Sequence, residues 1–239
     1  SGNTASGSGS IALGSNNKAT KTTACAIGSQ NTASGSSSFA ANSYNTASGM
    51  NSVAMGNNST ASGEEAFALG LSATASGDYS FAIGQGTVAA GSRQFAMGRY
   101  NVQDSQGTYA FIIGKGTNNS RQNILTINWY GDIVTAGTLT QNSDKRLKTI
   151  IGKAPDLSGI RAVAFRWKQD NRDKNQHIGY IAQDVEQVAP YLVDEDANGY
   201  KTLDYITLLC AKVEQLEQTV TKLTKRVQEL EGRHEISCD

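Results

Sequence analysis

Ser143 and Lys148 are the two side chains of this 239-residue chain whose types and spacing can do covalent chemistry. They place a hydroxyl nucleophile and an amine base five positions apart in Ser143-Asp144-Lys145-Arg146-Leu147-Lys148. A lysine accepts a proton near neutral pH only when desolvation or a neighbouring cation brings its pKa down from about 10.4. Lys145 and Arg146 offer the cation, and burial at a subunit junction would offer the desolvation, in which case only an assembled oligomer is active. The plainer reading of the same residues is a cap, with Ser143 or Asp144 starting a helix near Lys145. No other constellation competes. Cys25, Cys210 and Cys238 are odd in number, far apart and outside any CxxC or CxxH arrangement, and His177 and His234 lack ligand spacing. No metal and no cofactor are expected.

The hexapeptide sits on a seam between two chemically unlike halves. From residue 1 to 142 there are six basic residues (Lys18, Lys21, Arg93, Arg99, Lys115, Arg121) and five acidic ones (Glu64, Glu65, Asp78, Asp104, Asp132) in a background of Gly, Ser, Ala and Asn. That surface is almost uncharged, and the whole chain is formally neutral, so electrostatics argue against a nucleic-acid partner. No stretch approaches eighteen consecutive apolar residues, so no membrane span is expected in this segment. The repeat described next begins almost at the first residue, which predicts that the natural protein extends further at its N-terminus and carries any targeting signal or anchor there.

From Asn3 the sequence copies itself every fourteen residues through seven units, from NTASGSGSIALGSN to TVAAGSRQFAMGRY, ending at Tyr100. A fixed period of this kind predicts a solenoid in which each unit is one coil. The strand in each coil falls on Ile11-Ala12-Leu13, Phe39-Ala40-Ala41, Val53-Ala54-Met55, Phe67-Ala68-Leu69, Phe81-Ala82-Ile83 and Phe95-Ala96-Met97. Each puts two larger side chains on one face and an Ala on the other. Two sizeable apolar side chains, at roughly 1.5 to 3 kcal/mol each when buried, are few against roughly 1 to 2 kcal/mol of backbone entropy per ordered residue. A parallel homo-oligomer is therefore expected, with the small Ala and Ser faces admitting another chain's backbone; symmetry makes it closed and cyclic without setting the number of chains.

The NTASGxxSφAφGxx pattern resembles the head domain of YadA-like trimeric autotransporter adhesins, which implies a parallel β-roll of three chains over residues 3 to 100. Two roles stay open for it, a spacer and an adhesive head. Side chains that break the repeat are the candidate readers of a glycan or protein on a cell surface: Lys18, Lys21, Tyr44, Glu64, Glu65, Asp78, Tyr79, Arg93, Arg99 and Tyr100.

After Tyr100 the period breaks. Leu125, Ile127 and Trp129 alternate with polar residues as in a half-buried strand, Gly131-Asp132 reads as a turn, and Ile133-Val134-Thr135 and Thr138-Leu139-Thr140 read as further strand. GDIVTAGTLTQ resembles the β-stem before the C-terminal chaperone of phage tail fibres. The seam hexapeptide, Phe165-Arg166-Trp167-Lys168, Ile178-Gly179-Tyr180 through Glu186, Pro190-Tyr191-Leu192-Val193 and Gly199-Tyr200 through Tyr205 then follow in order. Together they resemble the peptidase S74 family, the intramolecular chaperones of phage endosialidases and tail fibres, over residues 143 to about 231. That resemblance implies a Ser-Lys dyad that cuts once the trimer has folded, with Ser143 as nucleophile, Lys148 as general base and Asn142-Ser143 as the scissile bond. Trp167 and Tyr180 are expected in the small core.

Ile206, Leu209, Val213, Leu216, Val220, Leu223, Val227 and Leu230 step by three and four, the seam of a coiled coil, and Lys212 to Glu217 and Arg226 to Glu231 have the spacing of interchain ion pairs in parallel coils. β-branched residues at a with Leu at d favour dimers in isolation, whereas both resemblances imply trimers. The expected fold is mixed. A trimeric parallel β-roll head (1–100) leads to a β-neck (101–142), a small α+β chaperone domain (143–205), a parallel trimeric coiled coil (206–231) and a tail (232–239). The expected protein is an extracellular fibre, on a cell surface or a virion, that binds a cell surface and carries a chaperone that trimerises it and self-cleaves; the alternative is a retained, non-catalytic trimerisation domain. A third class, a membrane-bound transcription factor released by such a domain, would need a basic head. Residues 1 to 100 hold four basic and three acidic residues, which argues against it.

Overall fold

The structure is a computed structural model that describes residues 2–168 and 175–236, with side chains in the last helix through residue 232. It divides into two compact units, the first ending at Gln141 and the second beginning at Asn142. In the first, every fourteen-residue unit forms one coil with a two-residue strand and a five-residue strand, from Thr4–Ala5 and Ile11–Ser15 to Val88–Ala89 and Phe95–Arg99. The short strands stack into a seven-stranded parallel sheet, and the long strands build one side of a ten-stranded sheet. Equivalent residues pair one coil apart, as in Phe67↔Phe81, Ala68↔Ala82 and Leu69↔Ile83. Sequence period and hydrogen-bond register are therefore the same quantity, which is the origin of the β-roll.

The coil interior differs from the expectation that the Ala face would receive another chain. Ala33, Ala47, Ala61 and Ala75 from the short strands, and Ala26, Ala40, Ala54, Ala68, Ala82 and Ala96 from the long ones, are fully buried and pack against each other inside the chain's own coil. A fourteen-residue coil is so flat that only methyl groups fit between its two sheets. The larger residues consequently point outward in two ranks along the long-strand sheet. Ile11 and Leu13 are 54% and 62% exposed, Phe81 and Met97 40% and 37%. Within the outer rank Phe67, Phe81, Phe95 and Phe111 stack face to face with centroids 5.5, 5.8 and 5.5 Å apart.

Buried polar side chains hold the narrower corner. Asn17, Asn31 and Asn45 are fully buried. Asn31 Nδ2 donates to Ile27 O at 2.8 Å in the preceding coil and to Asn42 O at 2.9 Å in its own, while Asn17 Oδ1 accepts the Asn31 amide at 3.0 Å. The leading Asn of the repeat is thus a hydrogen-bonded ladder that satisfies corner backbone groups otherwise shut away from water.

The Tyr109–Lys115 strand adds one more parallel partner, with Ile112 in the buried column, and Asn123–Asn128 and Ile133–Thr135 then close the sheet antiparallel. Arg121 ties this cap to the roll, donating through Nη1 to Gly86 O at 2.8 Å and Asn101 O at 3.0 Å. The turn expected at Gly131-Asp132 falls instead on Trp129-Tyr130, closed by the Gly131 amide on Asn128 O at 3.2 Å, with Asn128 Oδ1 accepting the Asp132 amide at 2.9 Å. Trp129 lies beyond the strand and donates its indole N–H to Gly107 O at 2.8 Å. Thr138-Leu139-Thr140, expected as strand, are not one: among the described residues no neighbouring strand pairs with them, and a strand without a ladder leaves its backbone groups to water.

The second unit is a small α+β domain. Two antiparallel pairs, Val163–Phe165 with His177–Gly179 and Val193–Glu195 with Lys201–Leu203, accompany helix α1 (Ala182–Glu186) and helix α2 (Tyr205–Ile236). Leu157, Ile160, Val185, Ala189, Leu192, Leu208 and Ala211 form the core, with Tyr180 packed against its edge. Trp167, expected there, is half-exposed and edge-stacked on Phe165 at 5.4 Å. Among the described residues no helix is long and apolar enough to cross a membrane.

Candidate Ser-Lys site

Residues 145–147 form one turn of 3₁₀ helix, which folds the chain back within the six residues singled out from sequence. Asp144 is its N-cap: Oδ1 accepts the Arg146 amide at 2.8 Å, and the two carboxylate oxygens take Arg146 Nε at 3.0 and 3.2 Å and Nη2 at 2.7 Å. These bonds, the Arg146 side chain first, hold the Asp144 carboxyl below the ordinary carboxylate range. At the exit of the turn Lys148 Nζ donates to Ser143 Oγ at 2.7 Å. The Ser143 hydroxyl and the Lys148 amine therefore meet within one chain.

Every residue from 141 to 150 is exposed, and the Arg146 guanidinium is engaged by Asp144. The capping role and the Ser-Lys pairing, which read as rivals from sequence, coexist. Asp144 is the cap and Ser143 is left to Lys148. Asp144 itself was named from sequence only as an alternative cap; the signal that could have promoted it is the Asp-x-Arg spacing, which lets one carboxylate take both the amide and the guanidinium two residues on.

Helix α2 presents its seam to solvent. Ile206, Leu209, Val213, Leu216, Val220, Leu223, Val227 and Leu230 are 45% to 63% exposed, while Leu208 and Ala211 on another face enter the domain core. Asp204 caps the helix, accepting the Thr207 amide at 3.0 Å and its hydroxyl at 2.5 Å, and these bonds, the hydroxyl's first, lower its pKa. Lys212, expected to pair with Glu217 of another chain, is engaged within its own domain. Lys212 Nζ donates to Leu157 O and, at 2.6 Å, to Ile160 O, and burial there lowers its pKa. Beside it Gln215 Nε2 donates to Asp156 Oδ1 at 2.6 Å. The ammonium closes the 157–160 turn and is spent within its own domain. Arg226 pairs with Glu229 one turn away, at 3.5 Å.

Most of the irregular head residues lie on the roll's two turns. Glu65, Tyr79 and Arg93 occupy equivalent left-handed positions in successive coils, with the Arg93 guanidinium 5.4 Å from the Tyr79 ring centroid, and Asp78 Oδ1 accepts the Glu64 amide at 3.0 Å. Tyr44 and Tyr100 occupy the opposite turn: Gln30 Nε2 donates to Tyr44 Oη at 2.9 Å, and Arg121 lies over the Tyr100 ring. Arg99 ends a long strand beside Tyr100, and Lys18 and Lys21 are exposed on the second coil. These positions do not converge on a pocket. His177 stacks on Phe165 at 5.5 Å, Cys25 stands on the outward face of its strand and Cys210 is exposed; the side chain of His234, and Cys238, lie outside the described residues.

A β-solenoid of Ala-cored coils followed by a small α+β domain with a long C-terminal helix is the architecture against which the family comparisons fall. Residues 143–194 match the family model of the peptidase S74 chaperone of endosialidase. Residues 1–17, 5–30, 47–73 and 61–87 match that of the YadA head domain repeat. No curated protein matches the chain. The chain therefore carries, in order, segments that match YadA head repeats and a segment that matches the peptidase S74 chaperone of endosialidase.

Proposed function

We propose that the chain is the distal part of a homotrimeric surface or phage fibre, in which the head binds a cell-surface glycan or protein and the C-terminal domain drives trimerisation and then cuts at Asn142-Ser143. One observation carries the assembly: each unit leaves a continuous apolar face uncovered, the two outward ranks of the roll and the seam of α2. In the two ranks of the roll twelve large apolar side chains, from Ile11 to Met97, are partly exposed; completing their burial at about 1 kcal/mol each gives on the order of 10 kcal/mol per chain. Association costs roughly 4 to 15 kcal/mol. The roll alone is marginal, and the helix seam supplies the surplus and the register. A β-roll of near-identical coils can slip by one repeat without exposing a different pattern, so a C-terminal element that aligns the chains before the roll closes is physically required.

The 2.7 Å Ser143–Lys148 contact supports the cleavage. Because Ser143 supplies the nitrogen of the scissile bond, its hydroxyl acts by an acyl shift. Lys148 takes the hydroxyl proton as Oγ bonds to the Asn142 carbonyl carbon. The C–N bond then breaks, the Ser143 amine receives that proton, and water hydrolyses the ester to an Asn142 carboxylate and the free serine hydroxyl. An ammonium in water keeps its proton, so the step awaits desolvation of Lys148 by assembled neighbours. Wild-type chain run denatured should show two fragments, and Ser143→Ala or Lys148→Met should abolish them; an uncut wild type refutes the cleavage. The exposure of the pair in one chain favours a second reading, a retained trimeriser without catalysis, which intact chain under denaturing conditions and trimer in native solution would select.

A further inference from the structure

We propose that Asp144 is the positioning residue of the Ser143–Lys148 pair, its carboxylate holding the turn that folds Lys148 back onto Ser143; this rests on reading the pair as a self-cleaving dyad. Five extended residues span roughly 17 Å, so the 2.7 Å contact exists only because the chain turns. Packing does not make it turn. None of the three turn residues is buried, and Leu147 is 72% exposed. What remains is hydrogen bonding: Leu147 N to Asp144 O at 3.0 Å, Lys148 N to Lys145 O at 3.2 Å, and the Arg146 amide to Asp144 Oδ1 at 2.8 Å. A single-turn helix has a costly nucleus and little propagation, so the side-chain bond at its start weighs heavily.

Asp144 makes two kinds of bond, and they differ in importance. The ion pair with Arg146 is exposed on both sides, where such pairs contribute little. The cap to the Arg146 amide needs only an acceptor oxygen, which Asn supplies as well as Asp. The carboxylate therefore positions Lys148 through the backbone of residue 146, and the guanidinium is secondary. Asp144 touches neither reacting atom in this arrangement.

The test uses the full chain and follows fragment appearance with time on denaturing gels, with Ser143→Ala as the uncut reference. Asp144→Ala should slow cutting at least tenfold, while Asp144→Asn restores it to within about threefold of wild type and Arg146→Ala does the same. Wild-type rates in Asp144→Ala overturn the positioning role and leave the dyad standing. If wild type itself is not cut, the dyad reading fails separately, and position is read chemically. In Ser143→Cys the Lys148 ammonium should lower the pKa of the introduced thiol, as Lys148→Met checks, and the pH midpoint of its iodoacetamide alkylation reports the distance between them. Adding Asp144→Ala should raise that midpoint by about half a unit relative to adding Asp144→Asn, a roughly threefold slower alkylation at neutral pH. Both changes remove the same charge, so the contrast isolates the cap, and equal midpoints overturn the proposal.

Discussion

Replacing Gly56 with Ala should open the roll between its fourth and fifth coils. Gly56 has φ +108°, and a Cβ there would lie 2.1 Å from the Gly70 carbonyl oxygen of the next coil, 1.3 Å short of the 3.4 Å at which ordinary contact begins. The obstacle is backbone, held in register by Phe67↔Val53 through Leu71↔Asn57, so relief requires spreading a ladder whose spacing the hydrogen bonds set. Backbone strain at positive φ contributes about 1 to 3 kcal/mol and overpacking about another 1 to 3, about 2 to 6 in all. At roughly 2 to 4 °C per kcal/mol for a chain of this size, the unfolding midpoint should fall by on the order of 10 °C. Far-UV circular dichroism in a Ser143→Ala background, at one scan rate, measures this without interference from cutting. Gly131→Ala is the control, because Gly131 has φ +86° with nothing within 4 Å of a Cβ and should reveal the strain alone. Asn42 holds the corresponding place in the third coil at φ +84°, so Gly56→Asn should cost less than Gly56→Ala. Equal midpoints for Gly56→Ala and Gly131→Ala would refute the view that coil spacing excludes the side chain.

The exposed ranks and the helix cap yield two further tests. Phe81→Asp places a charge among the stacked rings Phe67 and Phe95, and Leu223→Asp does so in the α2 seam; sedimentation should show each shifting trimer towards monomer, and unchanged trimer in both would remove these faces from the interface. Asp204, held low by the Thr207 hydroxyl and amide, stabilises α2 above the unfolded carboxylate value of about 3.9, and that contribution disappears as pH falls through its lower folded value. Helicity at 222 nm should therefore decline below about pH 4 in wild type and less steeply in Asp204→Asn; parallel curves would contradict the assignment.

The parts legible in sequence are those where local pattern and structure have one period. Phe67-Ala68-Leu69-Gly70 and its copies are strands because fourteen residues make one coil, and the heptad from Ile206 to Leu230 is one helical stripe because both rules count residues along a single element. The intrachain partners of Lys212 were illegible for the opposite reason. Its heptad position predicts a partner on another chain, whereas Leu157 and Ile160, more than fifty residues away, supply carbonyls that accept its hydrogen bonds. The strand expected at Thr138-Leu139-Thr140 failed likewise, since propensity along the chain cannot provide the neighbour that a ladder needs.

By itself the sequence determined the repeat, the seam at Ser143, the family resemblances and the pairing of a serine with a lysine five positions on. Only the tertiary structure decided which face of each coil turns inward. Periodicity distinguishes two faces but not their destinations, and it is the flatness of a fourteen-residue coil that admits Ala26, Ala40 and Ala54 between the sheets and sends Phe39 and Val53 outward. The same holds at the seam. Five residues of separation allow Ser143 and Lys148 to lie far apart or in contact, and the turn under Asp144 brings them to 2.7 Å.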